Sequence, residues 1–74
     1  MKLVIITPRE SSTFDGVSSV TLPGSEGKFT VLSHHAPLIS AIRKGVIHYD
    51  QNEIPTHGGV VEVNNNMITV ITEQ

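Results

Sequence analysis

The apolar residues of this chain fall in short runs rich in Val, Ile and Thr, broken at intervals of about five to ten residues by turn-forming groups. The breaks are Asp15-Gly16, Pro23-Gly24, Gly27, Lys44-Gly45, Gln51-Asn52, Gly58-Gly59 and Asn64-Asn65-Asn66. Gly, Pro, Asn and Asp supply the backbone angles that tight turns need. The runs between them predict strands at Lys2–Thr7, Ser11–Phe14, Val17–Leu22, Lys28–Leu32, Leu38–Ile42, Val46–Asp50, Glu53–His57, Val60–Asn64 and Met67–Thr72. In the third run Ser18, Val20 and Leu22 share one face, while Ser19 and Thr21 share the other. In the last, Ile68 and Val70 oppose Met67, Thr69 and Ile71, so both faces are partly apolar. That suits strands covered on both sides, by the domain or by a neighbour. Pro55 cannot donate to a ladder, so its run is expected at a sheet edge. No segment keeps a helical apolar period with caps. The pattern predicts an all-β fold, a flattened β-sandwich or barrel of about eight to ten short strands. The connection from Leu22 to Pro37 looks long relative to its neighbours.

Length sharpens this. Residues 1–74 make a single β-sandwich domain. A chain this short buries only about 60% of its unfolded surface, so its core is thin. The isolated chain is expected to be marginally stable and to gain from a partner. It has no cysteine, which excludes disulfides and thiolate metal sites. Five Lys+Arg against seven Asp+Glu give a net charge of -2. The cations are scattered as Lys2, Arg9, Lys28, Arg43 and Lys44, and the aromatics are only Phe14, Phe29 and Tyr49. That argues against nucleic acid as a partner. The longest apolar runs, such as Leu3 to Ile6, fall far below the ~20 residues of a membrane span. The opening residues do not predict a signal peptide.

The richest stretch chemically is Val20 to Ser40. Its Gly24-Ser25-Glu26-Gly27-Lys28 segment echoes a phosphate loop. But only two residues separate the glycines, Phe29 follows the lysine, and no helix pattern follows to receive an anion. A glycine-rich turn explains it better, with Pro23 fixing φ and Gly24 or Gly27 free to take positive φ. His34, His35, His48 and His57 could ligate a metal, but none shows the paired spacing of a zinc site. Adjacent His34 and His35 point to opposite faces if extended, so one is expected outward and the other hydrogen-bonded inward. No nucleophile elbow appears, and a chain this small rarely builds a substrate pocket. What remains is protein interaction. His35-Ala36-Pro37 holds the chain extended before Leu38 and Ile39, because a residue preceding proline avoids the helical region. A polar tip with apolar shoulders suits an interface.

The run Val20–Ile47, with the later "HGGVVEVNNNMITVIT", resembles the N-terminal β-sandwich domain of the epsilon subunit of F-type ATP synthase, called delta in mitochondria. The residues carrying the likeness are Pro23, Gly24, Gly27, His35-Ala36-Pro37-Leu38, Gly58-Gly59, Glu62-Val63 and Ile68-Thr69-Val70. Thr7-Pro8 and Phe14-Asp15-Gly16 fit as well. The chain departs from the family pattern at Thr30, where Gly is usual, at Ser33-His34, where Pro-Gly is usual, and at Val60, where Phe is usual. Lys28 occupies a position that is often acidic. The turn before His35 is therefore expected to differ in shape. Family members continue into a C-terminal pair of helices, whereas this chain stops at Gln74. The inhibition and ATP binding associated with those helices are not carried over.

The resemblance implies a non-catalytic rotor subunit of the central stalk, active in ATP synthesis and proton transport. It would bind the gamma subunit and couple it to the c-ring, without inserting into the membrane and without a cofactor. It implies a peripheral location on the cytoplasmic face of the inner (plasma) membrane. Gly24, Ser25, Glu26, Gly27 and Lys28 match the loop facing the c-ring. His35, Ala36, Pro37, Leu38 and Ser40 match the run near gamma, with Thr7-Pro8 and Glu10 as weaker candidates. Gly58 and Gly59 are expected to be structural, allowing close backbone approach. Alternatives are a regulatory epsilon subunit shorn of its inhibitory helices, a ligand-binding β-sandwich, and a His-based metalloprotein or small hydrolase. Sugar binding is disfavoured by the absence of Trp.

Overall fold

A computed structural model describes residues 1–73. Nine strands occupy the nine expected runs. They are β1 (Lys2–Ile6), β2 (Ser11–Phe14), β3 (Ser19–Gly24), β4 (Gly27–Leu32), β5 (Leu38–Ile42), β6 (Gly45–Tyr49), β7 (Asn52–Thr56), β8 (Gly59–Asn64) and β9 (Met67–Thr72). They form one curled sheet in the order β2-β1-β9-β8-β5-β3-β6-β7, with β4 paired to β3 off that path. The first and last strands lie side by side in parallel, Lys2 opposite Met67 through Ile6 opposite Ile71. All other pairings are antiparallel. β3 is the hub. Its Val20 and Thr21 pair with β6, its Gly24 pairs with Ile42 of β5, and its whole length pairs with β4. Pro55 lies on the terminal strand β7, where its missing N–H costs no ladder bond.

The period-2 pattern sets the core. Leu3, Ile5, Val17, Val20, Leu22, Val31, Ile42, Ile47, Val61, Val63, Ile68 and Val70 point inward and pack together. Each contributes about 1.5–3 kcal/mol by leaving water. Tyr49 stacks on Phe14, ring centroids 4.8 Å apart, and so brings β6 against β2 from the far end of the sheet. The contact bridges the two sides of the curled, half-barrel sheet.

Several expectations needed revision. The long connection from Leu22 to Pro37 is instead a tight hairpin, β3–β4, followed by a short linker. β3 begins at Ser19 rather than Val17, because the preceding amides are engaged elsewhere. Val17 N–H donates to the Met1 carbonyl (2.9 Å), and Ser18 N–H donates to the Asp50 carboxylate (3.0 Å). The β6–β7 turn falls at Asp50-Gln51, one residue before the expected pair. Asp50 takes φ +52° there, and its carboxylate also accepts from Ser19 N–H at 3.2 Å. Asn65 and Asn66 both take positive φ in the β8–β9 turn, as a two-residue hairpin of this hand requires.

Candidate interface

The Gly24–Lys28 segment forms the tip of the β3–β4 hairpin. Pro23 pairs with Lys28 and Gly24 with Gly27, leaving Ser25 and Glu26 as the loop. Gly27 supplies the positive φ, +127°. Gly24 is required for space: a Cβ there would sit 2.6 Å from the Gly27 carbonyl oxygen and 2.9 Å from the Phe29 ring. The base of the tip is clamped by β5. Ser25 N–H donates to the Ala41 carbonyl (3.1 Å), and Arg43 N–H donates to the Pro23 carbonyl (2.8 Å). Ser25, Glu26, Gly27 and Lys28 are all exposed beyond this clamp.

The His35–Ser40 run begins where β4 ends. Leu32 to His35 close a turn in which His35 N–H donates to the Leu32 carbonyl (3.2 Å). His34 takes φ +63°, and its N–H donates to Asn66 Oδ1 (2.9 Å), tying this turn to the β8–β9 turn. Both histidines are exposed, so neither is the inward partner that was expected. His35 Nδ1 donates to the adjacent Ala36 carbonyl (2.7 Å) instead. A left-handed residue within a turn breaks the simple alternation of faces expected of an extended pair. His35, Ala36 and Pro37 are exposed, while Leu38 and Ser40 are half-buried.

These two segments are neighbours in sequence and lie at opposite ends of a strand. β4 carries the chain from Gly27 to Leu32, roughly 17 Å at the usual rise. β5 then returns, so that Ile42 reaches Gly24. Along the outer face of the sheet, apolar side chains remain uncovered. Ala41, Val60, Ile71 and Ile6 are successive partners across β5, β8, β9 and β1. Ile39, two residues before Ala41 on the same face of β5, is 74% exposed, and Leu32 at the end of β4 is 59% exposed. The sequence points to Leu38 and Ile39 as apolar groups beside the loop, and of these Ile39 is exposed while Leu38 is half-buried; the exposure of Leu32 was not expected. Leu32 shares its outward phase with Lys28 and Thr30, so it is an apolar residue on the polar side of β4. Thr7 and Glu10 close the β1–β2 connection on each other, Thr7 N–H donating to the Glu10 carbonyl (2.8 Å), and Pro8 is exposed between them.

Two departures from the family pattern acquire local reasons. Thr30 hydrogen-bonds Thr21 across β3–β4, hydroxyl to hydroxyl at 2.8 Å. Val60 belongs to the exposed apolar row. Gly58 and Gly59 serve close packing: a Cβ on Gly59 would collide with the Ile71 carbonyl oxygen, and one on Gly58 would meet the Ile42 carbonyl oxygen at 3.1 Å. Among the described residues, no three His, Asp or Glu side chains converge as a metal site would need.

Residues 1–74 match the family model described as the ATP synthase, delta/epsilon chain, beta-sandwich domain. The chain is 39% identical over 75 residues to the ATP synthase epsilon chain of Desulfitobacterium hafniense (strain DSM 10664 / DCB-2), covering 96% of this chain and 57% of that one. It is 37% identical over 76 residues to the ATP synthase epsilon chain of Magnetococcus marinus, covering 97% and 56% respectively. The chain thus spans little more than half the length of these relatives. In fold it is similar to a chain in the cryo-EM structure of the central stalk and c-ring of the Tetrahymena thermophila mitochondrial ATP synthase. The TM-score is 0.84 at 18% identity, covering 99% of this chain and 63% of that chain.

Proposed function

The chain belongs to the family of ATP synthase delta/epsilon chain β-sandwich domains, and on that premise we propose that it is a non-catalytic subunit of the rotor's central stalk. It binds the gamma subunit through the His35–Ser40 end and meets the c-ring through the Gly24–Lys28 tip. It works peripherally, on the cytoplasmic face of the membrane, in proton-driven ATP synthesis. Its contribution is mechanical. Torque passes between two partners only if the body between them resists shear, and a continuous network of paired strands does so.

The observation that carries this reading is the separation of the two candidate surfaces. They stand at opposite ends of β4, joined by continuous hydrogen-bonded sheet, with Leu32 and Ile39 uncovered toward the His35 end and the row from Ala41 to Ile6 nearer the tip. An enzyme would gather its chemistry at one cleft. A spacer between two proteins needs two faces and a stiff body.

The test is co-purification. The tagged chain, expressed in cells with a complete ATP synthase and captured from detergent-solubilised membranes, is expected to bring gamma and c subunits with it. Recovery of neither, with the chain folded, would refute the assignment.

A further inference from the structure

The cations that are scattered along the sequence are gathered by the fold. Three of the five Lys and Arg side chains converge on one open groove of about 390 Å³. Lys28, Arg43, Lys44 and His48 line it, against walls that include Pro23 and Val46. The strand register explains the convergence. Lys28 stands opposite Pro23 across the hairpin, His48 stands opposite Thr21 on the other edge of β3, and Arg43-Lys44 link β5 to β6 between them. Arg43 Nε also donates to the Gly24 carbonyl at 3.3 Å, which holds the guanidinium against the groove wall.

No acidic side chain lines this groove. Among the described residues, the ion pairs are Lys2 with Asp15 (3.9 Å) and His48 with Glu53 (3.7 Å), so Lys28, Arg43 and Lys44 are without carboxylate partners. Like charges held close together repel, and a chain of net charge -2 has acidic residues to spare that the fold has not placed there. We propose that the groove receives the carboxylate side chains of an acidic protein loop. In the stalk reading, on which the partner's identity rests, that loop belongs to the ring subunit facing the Gly24–Lys28 tip.

Two observations favour protein carboxylates over other anions. Phosphate sites commonly use a nest of free backbone N–H groups. Here the N–H groups of Ser25 and Arg43 are already engaged by the Ala41 and Pro23 carbonyls. Adsorption to an anionic bilayer usually takes a cluster of about four to eight Lys/Arg. Three of them, on a chain of net negative charge, fall short.

The test is a titration of the isotopically labelled chain followed by the backbone amide resonances of Gly24, Gly45 and His48. The probes are a Glu/Asp-rich hexapeptide, inorganic phosphate, and vesicles containing phosphatidylglycerol. The peptide is expected to shift these amides saturably, and less so as salt rises. The double substitution Lys28→Glu/Lys44→Glu is expected to weaken it about tenfold, from loss and reversal of two exposed charge pairs. Lys2→Glu, remote from the groove, is expected to leave it unchanged. The proposal is overturned if the peptide moves nothing, if the double variant binds as well, or if phosphate or vesicles engage the same amides more tightly. Success here with failed co-purification keeps the groove and removes the stalk reading. The opposite result keeps the stalk and removes the groove.

Discussion

His34 is held in a conformation that an L-residue resists. Its φ of +63° costs about 1–2 kcal/mol for a side chain bearing a Cβ. The imidazole is exposed and makes no side-chain hydrogen bond among the described residues. The turn is instead held by backbone contacts, His34 N–H to Asn66 Oδ1 and His35 N–H to the Leu32 carbonyl. His34→Gly keeps both. It removes the steric cost and adds about 0.5–1 kcal/mol of chain entropy to be lost on folding. The net is a stabilisation of about 0.5–1 kcal/mol. For a chain of this size that raises Tm by about 2–8 °C. His34→Ala is the control, since it removes the imidazole and keeps the Cβ in the strained conformation. Thermal melts by circular dichroism, with urea unfolding to confirm an unchanged m-value, should rank glycine above wild type and alanine at or below it. If glycine is no more stable than alanine, the strain argument is wrong and the imidazole contributes something the geometry does not show.

Three further outcomes follow from the same structure. Gly59→Ala places a Cβ against the Ile71 carbonyl oxygen at φ +153°, a cost of about 3 kcal/mol or more from overlap and strain together. The amide spectrum should collapse toward that of an unfolded chain, and a well-dispersed spectrum with wild-type Tm would contradict the close approach. Asp50→Ala removes the acceptor for Ser18 and Ser19 N–H and puts alanine at φ +52°, a loss of about 1–3 kcal/mol. Asp50→Asn should recover much of it, and an alanine variant as stable as wild type would mean that water serves these amides equally well. Replacing His35-Ala36-Pro37 with Gly-Ser-Gly should weaken binding to gamma while preserving the melting transition. Unchanged affinity, read by calorimetry, would move that interface elsewhere.

All nine strands were legible in place, though not to the residue at their ends, because two signals coincided. Val, Ile and Thr in alternation mark a half-buried pleat, and Gly, Asn and Pro mark where it must turn. The hairpin at Gly24–Gly27 and the edge position of Pro55 followed from backbone geometry that a residue type imposes locally. The His-Ala-Pro-Leu run and the double glycine were legible as motif. Other features depend on strands distant in sequence. Asp50 gives no hint that it serves the amides of Ser18 and Ser19, because those groups meet only when β6 lies against β3. Leu32 looks like a core residue, and its exposure depends on which phase of its strand turns inward when the sheet curls. Lys28, Arg43 and Lys44 appear dispersed in the chain, and pairing of β3 with β4, β5 and β6 brings them to one groove. Local pattern specifies which face of a strand is apolar and where the chain reverses. Which charges become neighbours, and which apolar side chains stay in water, is decided by long-range register, because side-chain periodicity within one strand carries no information about its partner.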